Sequence, residues 1–348
     1  MSAVIPAPQL PAATPARSEG VWGAAWQRLR HDRVGMACLV VVCAFALLVL
    51  VATLGLVAAD WQRETGLPYA PPTIAGPDRG EAEQAIAVPK GPPADLSDVD
   101  PLAPRYAEWK DRAAKFQTAE TVKATTLPLG GDRLGRDVLA KAIKGAQISI
   151  FVGVFAALLA TLIGTVLGAL GGYAGGKVGD FLEWIYNVFT SIPDILLIFA
   201  FAAVFGRGIE TVILILGLAG WTGMYRQVRA EYMKHRTREY VRAAEAIGVS
   251  HFARMFAHIL PNVSHVILVR LSLLVVGFIK AEVILSFLGL GVPVDQVSWG
   301  TMLAEANVEL VLGKWWQLAT ATAFMATFVT AFSLLTDALR DALDPKLR

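Results

Sequence analysis

Three sets of residues in this chain have the types and spacing to do chemistry. The first is GGYAGGKV at residues 171–178. A phosphate-binding loop needs Gly, four residues, then Gly-Lys-Ser/Thr, because backbone amides and the lysine cradle phosphates while the hydroxyl holds Mg²⁺. Gly171, Gly176 and Lys177 keep that spacing, but Val178 stands where the hydroxyl is required. The second set is His251, His258 and His265, one every seven residues, with His235 nearby. That repeat could present imidazoles to a metal, yet no His-x₃-His pair occurs and Pro261 falls between the last two, so no metal site is expected. The third set is Asp194 and Glu282, carboxylates inside apolar runs, where an ionisable group is costly and defaults to a functional reading. HExxH, GxSxG and a cysteine–histidine set are all missing from the sequence, so the chain is not expected to be an enzyme.

The elements that must position these residues are apolar. Of 348 residues, 55% are hydrophobic and 17% charged, with a mean hydropathy of +0.52. Soluble chains carry roughly 25% charged residues, and the deficit points to a multi-spanning membrane protein. Cys38 and Cys43 both lie in the first apolar run and suggest neither a disulfide framework nor a thiolate site. Six runs approach the ~20 residues a span needs: 34–59, 148–171, 181–204, a shorter 209–224, 263–285 and 316–339. The first run is too long for a signal-peptide core and follows a basic lead, so it reads as a retained anchor.

Basic residues set the orientation. Arg28, Arg30 and Arg33 precede the first run. Arg226, Arg229, Lys234, Arg236, Arg238, Arg242 and Arg254 follow the fourth, and Arg340, Lys346 and Arg348 end the chain. With six spans all three groups fall on one side, which must be the cytoplasm. The expected organisation is an all-α integral membrane protein. A cytoplasmic segment 1–33 leads to helix 34–59, a long external loop 60–147, a five-helix core 148–339 with a cytoplasmic loop 225–262, and a cytoplasmic tail 340–348. Proline-rich stretches in the external loop favour extended chain. Tyr106, Trp109, Ala113 and Phe116 recur at helical spacing there, and LGRDVLAKAIKGAQ reads as an amphipathic lead into the second span. A lid or docking surface fits this loop better than a catalytic domain. GGYAGGKV then lies between two spans rather than between a strand and a helix. Its glycines serve a tight reversal and close helix approach.

The cytoplasmic loop is more ordered in pattern than a positive-inside rule requires. In RTREYVRAAEAIGVSHFARMFAHILPN, residues 239–247 are strong helix formers, and Gly248 suits a left-handed C′ position. Ser250 suits the N-cap of a second short helix that clusters Phe252, Met255 and Phe256. Pro261 and Asn262 then break into span five. Two short helices joined at a glycine make a rigid knob, and small alanines let a partner surface approach closely.

Ala243-Ala244, three residues, Gly248, then twelve residues and Pro261 resemble the EAA loop of ABC importer permeases. Arg242 stands where that family commonly has its first Glu, and His258 where it often has Ile; Glu239 and Glu245 flank Arg242 by one turn. LGGDRLGRDVLAKAIKGAQISI, GGYAGGKVGDFLEWIYNVFTSIP, EVILSFLGLGV with SWGTML, and TDALRDALDP look like the dipeptide/oligopeptide permease family, most like its C-type subunit. The similarity covers residues 22–59 and 129–348.

The resemblance implies a type I ABC importer-like permease. Glu239, Arg242, Ala243, Ala244, Glu245, Gly248 and Pro261 would form the coupling segment that seats in a separate ATPase subunit. ATP and Mg²⁺ would sit on one or two kinds of partner ATPase, with no cofactor on this chain. A second homologous permease would complete a heterodimer in the lipid bilayer, and a soluble solute-binding protein would deliver di- or oligopeptides or related solutes. Nucleic acid is not among the implied partners. The location is the bacterial inner membrane.

Asp194, after Pro193, either lines the translocation path and meets a peptide amino group or packs against a neighbouring helix. Glu282 helps shape the outer gate, Lys280 snorkels, and Trp315-Trp316 form an interfacial belt pair. Gly289 and Gly291 allow the chain to turn and close the outer face. The other transport reading, a self-sufficient secondary transporter or channel, would call for matching halves, which the sequence lacks.

Overall fold

The computed structural model describes residues 21–76, 100–114, 123–293 and 295–343. The expectations for residues 77–99 of the proline-rich loop, for Phe116, and for Lys346 and Arg348 of the tail lie outside these residues. The chain is helical, and among the described residues the only β pairing is a set of isolated bridges. In chain order the helices are α1 (Val21–His31), α2 (Arg33–Thr53), α3 (Tyr106–Ala114), α4 (Val138–Ala174), α5 (Gly176–Thr190) and α6 (Asp194–Phe205). Then come α7 (Ile209–Arg236), α8 (Glu239–Ala246), α9 (Leu260–Phe287), α10 (Trp299–Val311) and α11 (Trp316–Leu343).

By length and apolar composition α2, α4 and α11 can each cross a membrane, and α5 with α6 make a fourth candidate bent by 84°. The Pro193 break expected within the third run is that bend. α7 and α9 are each 28 residues, about 42 Å at 1.5 Å per residue, long enough to span. Neither is among those three. α7 is charged along its last three turns, and α9 carries Arg270, Lys280 and Glu282.

α4 is the central post, packed most extensively along α7. Gly164, Gly168 and Gly172 recur every four residues on the contact face. A Cβ on Gly168 would sit 2.8 Å from the Tyr225 carbonyl, and one on Gly172 would sit 2.5 Å from that of Arg229. Small residues at this spacing let two backbones touch, which is how helices gain packing energy where lipid supplies no hydrophobic drive. The glycine reading of GGYAGGKV therefore has two parts. Gly172 serves the approach to α7, while Gly175 and Gly176, at φ +64° and +49°, make the reversal into α5.

Several helices outrun their apolar segments. α4 starts at Val138, ten residues before the apolar run, with Asp137 as its N-cap accepting from the Leu139 amide at 2.8 Å. α7 continues twelve residues past 224 because Tyr225, Val228 and Tyr232 stay buried. The buried core continues through Trp299, whose indole donates to the Ala142 carbonyl at 3.2 Å. Its ring meets Phe45 of α2 and Phe328 of α11.

The described parts of the long loop are tied down at the α10 end of the bundle. Leu67, Tyr69 and Thr73 donate backbone bonds of 2.9 Å to the carbonyls of Ala124, Asp132 and Leu127. Trp316 closes this layer from α11: it is 6% exposed and its indole donates to the Gly131 carbonyl at 2.7 Å. Only Trp315 is exposed as an interfacial belt residue would be. The expected belt pair is one surface residue and one internal anchor.

Candidate functional site

The segment from α8 to α9 is built as a closed knob. α8 ends in a Schellman motif. The Gly248 amide donates to the Glu245 carbonyl and the Val249 amide to that of Ala244, both at 3.0 Å, with Gly248 at φ +83°. Ser250 follows as the N-cap of a single turn, its hydroxyl accepting from the Ala253 amide at 3.3 Å. So far this matches the sequence pattern. Pro261 departs from it, for it does not break the chain. Residues Arg254–Ile259 form a π turn that runs straight into α9, with Pro261 in the first turn of that helix. Proline has no amide to donate and crowds the preceding turn. Widening that turn gives the Leu260 amide the Met255 carbonyl, and the Asn262 side chain caps the His258 carbonyl at 2.7 Å. The second helix of the knob is thus the extended foot of α9.

One ion pair locks α8 to that foot. Arg254, 6% exposed, places Nη1 2.6 Å from Glu245 Oε1. The Arg254 guanidinium beside it holds the Glu245 carboxyl below the usual range. Arg254 Nη2 also lies 3.0 Å from His251 Nδ1, and the Tyr173 hydroxyl from the end of α4 lies 3.2 Å from the same nitrogen. A cavity of about 570 Å³ opens between these groups, Arg236 and Arg242. Val241 and Ala244 face inward, whereas Glu239, Arg242, Ala243 and Ala246 face out. Ile247 and Phe252 are 81% and 72% exposed at the tip. Of the expected aromatic cluster, Phe252 and Phe256 do meet, with centroids 4.7 Å apart and rings tilted by 43°, but Met255 is buried.

Asp194 opens α6 at the 84° break, exposed and without a hydrogen bond or ion pair among the described residues. The packed alternative, a bond to a neighbouring helix, does not occur there. Glu282 is enclosed at 0% exposure. Its two oxygens accept from the hydroxyls of Ser149 on α4 and Ser286 on α9, each at 2.7 Å. The side chain reaches no surface of this chain, so it braces the α4–α9 contact from within.

Two groupings were not read from the sequence. Asp132, Arg136 and Lys141 meet Glu305 of α10. Lys141, 1% exposed, lies 2.8 Å from Asp132 and 2.5 Å from Glu305. Gln317 of α11 joins them, donating to Glu305 at 3.0 Å. Burial pushes the Asp132 carboxyl up, but Lys141 and Arg136 outweigh it and hold the group below its ordinary value. Lys141, four residues after the capping Asp137, hinted that one face of LGRDVLAKAIKG would be buried. The second is Arg270, the only arginine in the apolar run 263–285, a signal visible in the sequence.

Residues 160–348, just over half of the chain, match the family described as the binding-protein-dependent transport system inner membrane component. Residues 20–72 match the N-terminal TM domain of oligopeptide transport permease C. The chain belongs to the dipeptide/oligopeptide family of ABC importer permeases. It is 35% identical to the oligopeptide transport system permease protein OppC of Bacillus subtilis over 247 residues, 71% of this chain and 81% of that protein. It is 40% identical to the dipeptide transport system permease protein DppC of the same organism over 219 residues, 63% and 68% of the two chains. Identity to the glutathione transport system permease protein GsiD of Salmonella paratyphi A is 40% over 219 residues, 63% and 72%. As a permease of this family the chain is a multi-pass, all-α inner membrane protein. Its knob, residues 239–262, lies wholly inside the matched family region.

Proposed function

We propose that this permease forms half of the translocation path of an ATP-driven importer for di- or oligopeptides or chemically related solutes. The observation that carries the reading is the α8 knob. A short helix ending in a Schellman motif, pinned by Glu245–Arg254 and presenting Ala243, Ala246, Ile247 and Phe252 outward, is a rigid relay suited to an external partner. In the proposed topology α2, α4, the bent α5–α6 pair, α7, α9 and α11 make six spans. Both termini and the knob are cytoplasmic, and the 60–137 segment is external. The basic residues after α7 support this orientation.

Partner ATPases hold Mg-ATP and grip the knob through the outward Glu239, Arg242, Ala243, Glu245 and Gly248, while the inward-facing Ala244 keeps α8 close to the rest of the chain and Pro261 sets the turn that passes the motion into α9. A second homologous permease supplies the other half of the path, and a solute-binding protein docks on the external face. Asp194, exposed at the helix break, lines the path. Glu282 supports the outer gate by bracing α4 against α9. The chain performs no hydrolysis. Its role is to switch access, which requires nucleotide and solute each to prefer one conformation.

Gentle solubilisation of the tagged chain, followed by mass spectrometry and transport in proteoliposomes, tests the reading. A second permease, ATPase chains and ATP-dependent peptide uptake are expected. Uptake driven by an ion gradient, with the chain alone and no ATP, would overturn it.

A further inference from the structure

We infer that Arg270 is where the translocation path reads a carboxylate of the transported solute, a step that rests on the importer function proposed above. Arg270 lies in the apolar stretch VILVRLSLL of α9, ten residues or about 15 Å from the start of that helix. Its guanidinium packs beside Gly223, midway along α7. A Cβ at Gly223 would overlap Nη2, so the glycine makes the room that the cation occupies. Gly223 lies at the end of the apolar run 209–224, with Arg226 and Arg229 just beyond it, so the charge sits at the cytoplasmic end of the apolar layer.

The charge has no counter-ion among the described residues. No carboxylate among the described residues pairs with Arg270, and its Nε is buried without an acceptor. A guanidinium does not shed its proton, so neutralisation is not an escape. Lipid is a poor environment for it as well, and such groups turn to a protein interior or a watery cavity. The side chain is partly exposed. Two turns further along the same face, Gly277 is exposed, and nothing lies within 4 Å of where its Cβ would be. Within this chain the face of α9 about 10 Å beyond Arg270 is unpacked. A planar guanidinium with no carboxylate partner among the described residues is matched in shape and charge to a solute carboxylate, which it binds bidentately. A peptide with a free C-terminus carries that group.

The test uses the complete transporter, with both permeases, the ATPases and the binding protein, in proteoliposomes. Uptake of a tripeptide with a free C-terminus is compared with uptake of its C-terminal amide at matched binding-protein occupancy. The wild type should favour the acid by about tenfold, the scale of a charge-assisted hydrogen bond pair. Arg270→Gln should abolish that preference, and Arg270→Lys should restore part of it. An unchanged acid-over-amide ratio in Arg270→Gln would overturn the assignment, as would a wild type with no preference. If Arg270→Gln fails to assemble, the ratio in Arg270→Lys decides, and a full wild-type ratio there counts against the fork geometry. A pairing with an acidic residue of the second permease would lower acid and amide uptake equally. Absence of any ATP-dependent uptake in the wild type would instead sink the importer reading.

Discussion

Glu245 Oε1 and Arg254 Nη1 stand 2.6 Å apart, one on the short helix α8 and the other on the foot of the long helix α9. The pair is lopsided: the arginine side chain is 7% exposed and the glutamate 62%. Removing the carboxylate leaves a nearly buried cation with His251 Nδ1 at 3.0 Å and the Tyr173 ring at 5.9 Å. That nitrogen can accept from the guanidinium only while it carries no proton of its own.

Replacing Glu245 with Gln should therefore loosen α8 from α9 without preventing membrane insertion. ATP hydrolysis by the assembled transporter should continue while peptide uptake per ATP falls several-fold. Measurement of both in the same vesicles checks this. Unchanged stoichiometry would separate the pair from coupling.

Gly248 makes its contribution through the backbone alone. Its φ is +83°, and no atom lies within 4 Å of where a Cβ would be. Gly248→Val adds no clash and should cost about 1–2 kcal/mol, the penalty of a branched residue in the left-handed region. Gly248→Asn should be close to neutral, because Asn tolerates that region. Uptake assays should show the valine variant inserted but poorly coupled and the asparagine variant near wild type. Equal activity of the two would mean that the Schellman turn is dispensable.

The glycine ladder of α4 should behave in the opposite way, through contact and not conformation. Gly172→Ala places a methyl 2.5 Å from the Arg229 carbonyl and should destabilise the protein by about 1–3 kcal/mol, the usual cost of overpacking. Gly277→Ala on α9 meets open space and should leave the melting temperature unchanged. Thermal unfolding in detergent distinguishes the two.

Asp132 supplies a pH prediction. Its folded carboxyl is depressed by Lys141 and Arg136 despite burial. A depressed carboxylate contributes stability that is complete above the unfolded-state value near 4 and is lost as pH falls through the lower folded value. Melting temperature should thus fall with acidification below about pH 4. Asp132→Asn should flatten that fall and cost about 3 kcal/mol near neutrality, because Lys141 keeps only the partly exposed Glu305 as a counter-charge. A mutant with the wild-type acid profile would refute the assignment.

Much of the architecture was legible locally. Apolar length marked α2, α4 and α11, and Pro193 marked the break between α5 and α6, because both act within a few residues of chain. Gly248 and Ser250 were readable as caps for the same reason: a left-handed turn and a hydroxyl cap depend on immediate neighbours. Pro261 was misjudged as a break because a π turn is permitted by the geometry of the helix before it, which local pattern does not reveal. Trp316 was misjudged as a belt residue because its partner, the Gly131 carbonyl, is 185 positions away in sequence.

By itself, then, the sequence determined a helical membrane permease with a small-residue knob and a glycine-rich reversal between two helices. Hydropathy, capping and family motifs all act through short-range chemistry or through composition. Only the tertiary structure decided which charges meet. It brought Asp132 and Lys141 to Glu305, seated Glu245 on Arg254, enclosed Glu282 between two serines, and left Arg270 and Asp194 without an ion pair among the described residues. Whether a charge is neutralised depends on what other helices place within about 4 Å of it, and that proximity is fixed by packing across the bundle, not by neighbours along the chain.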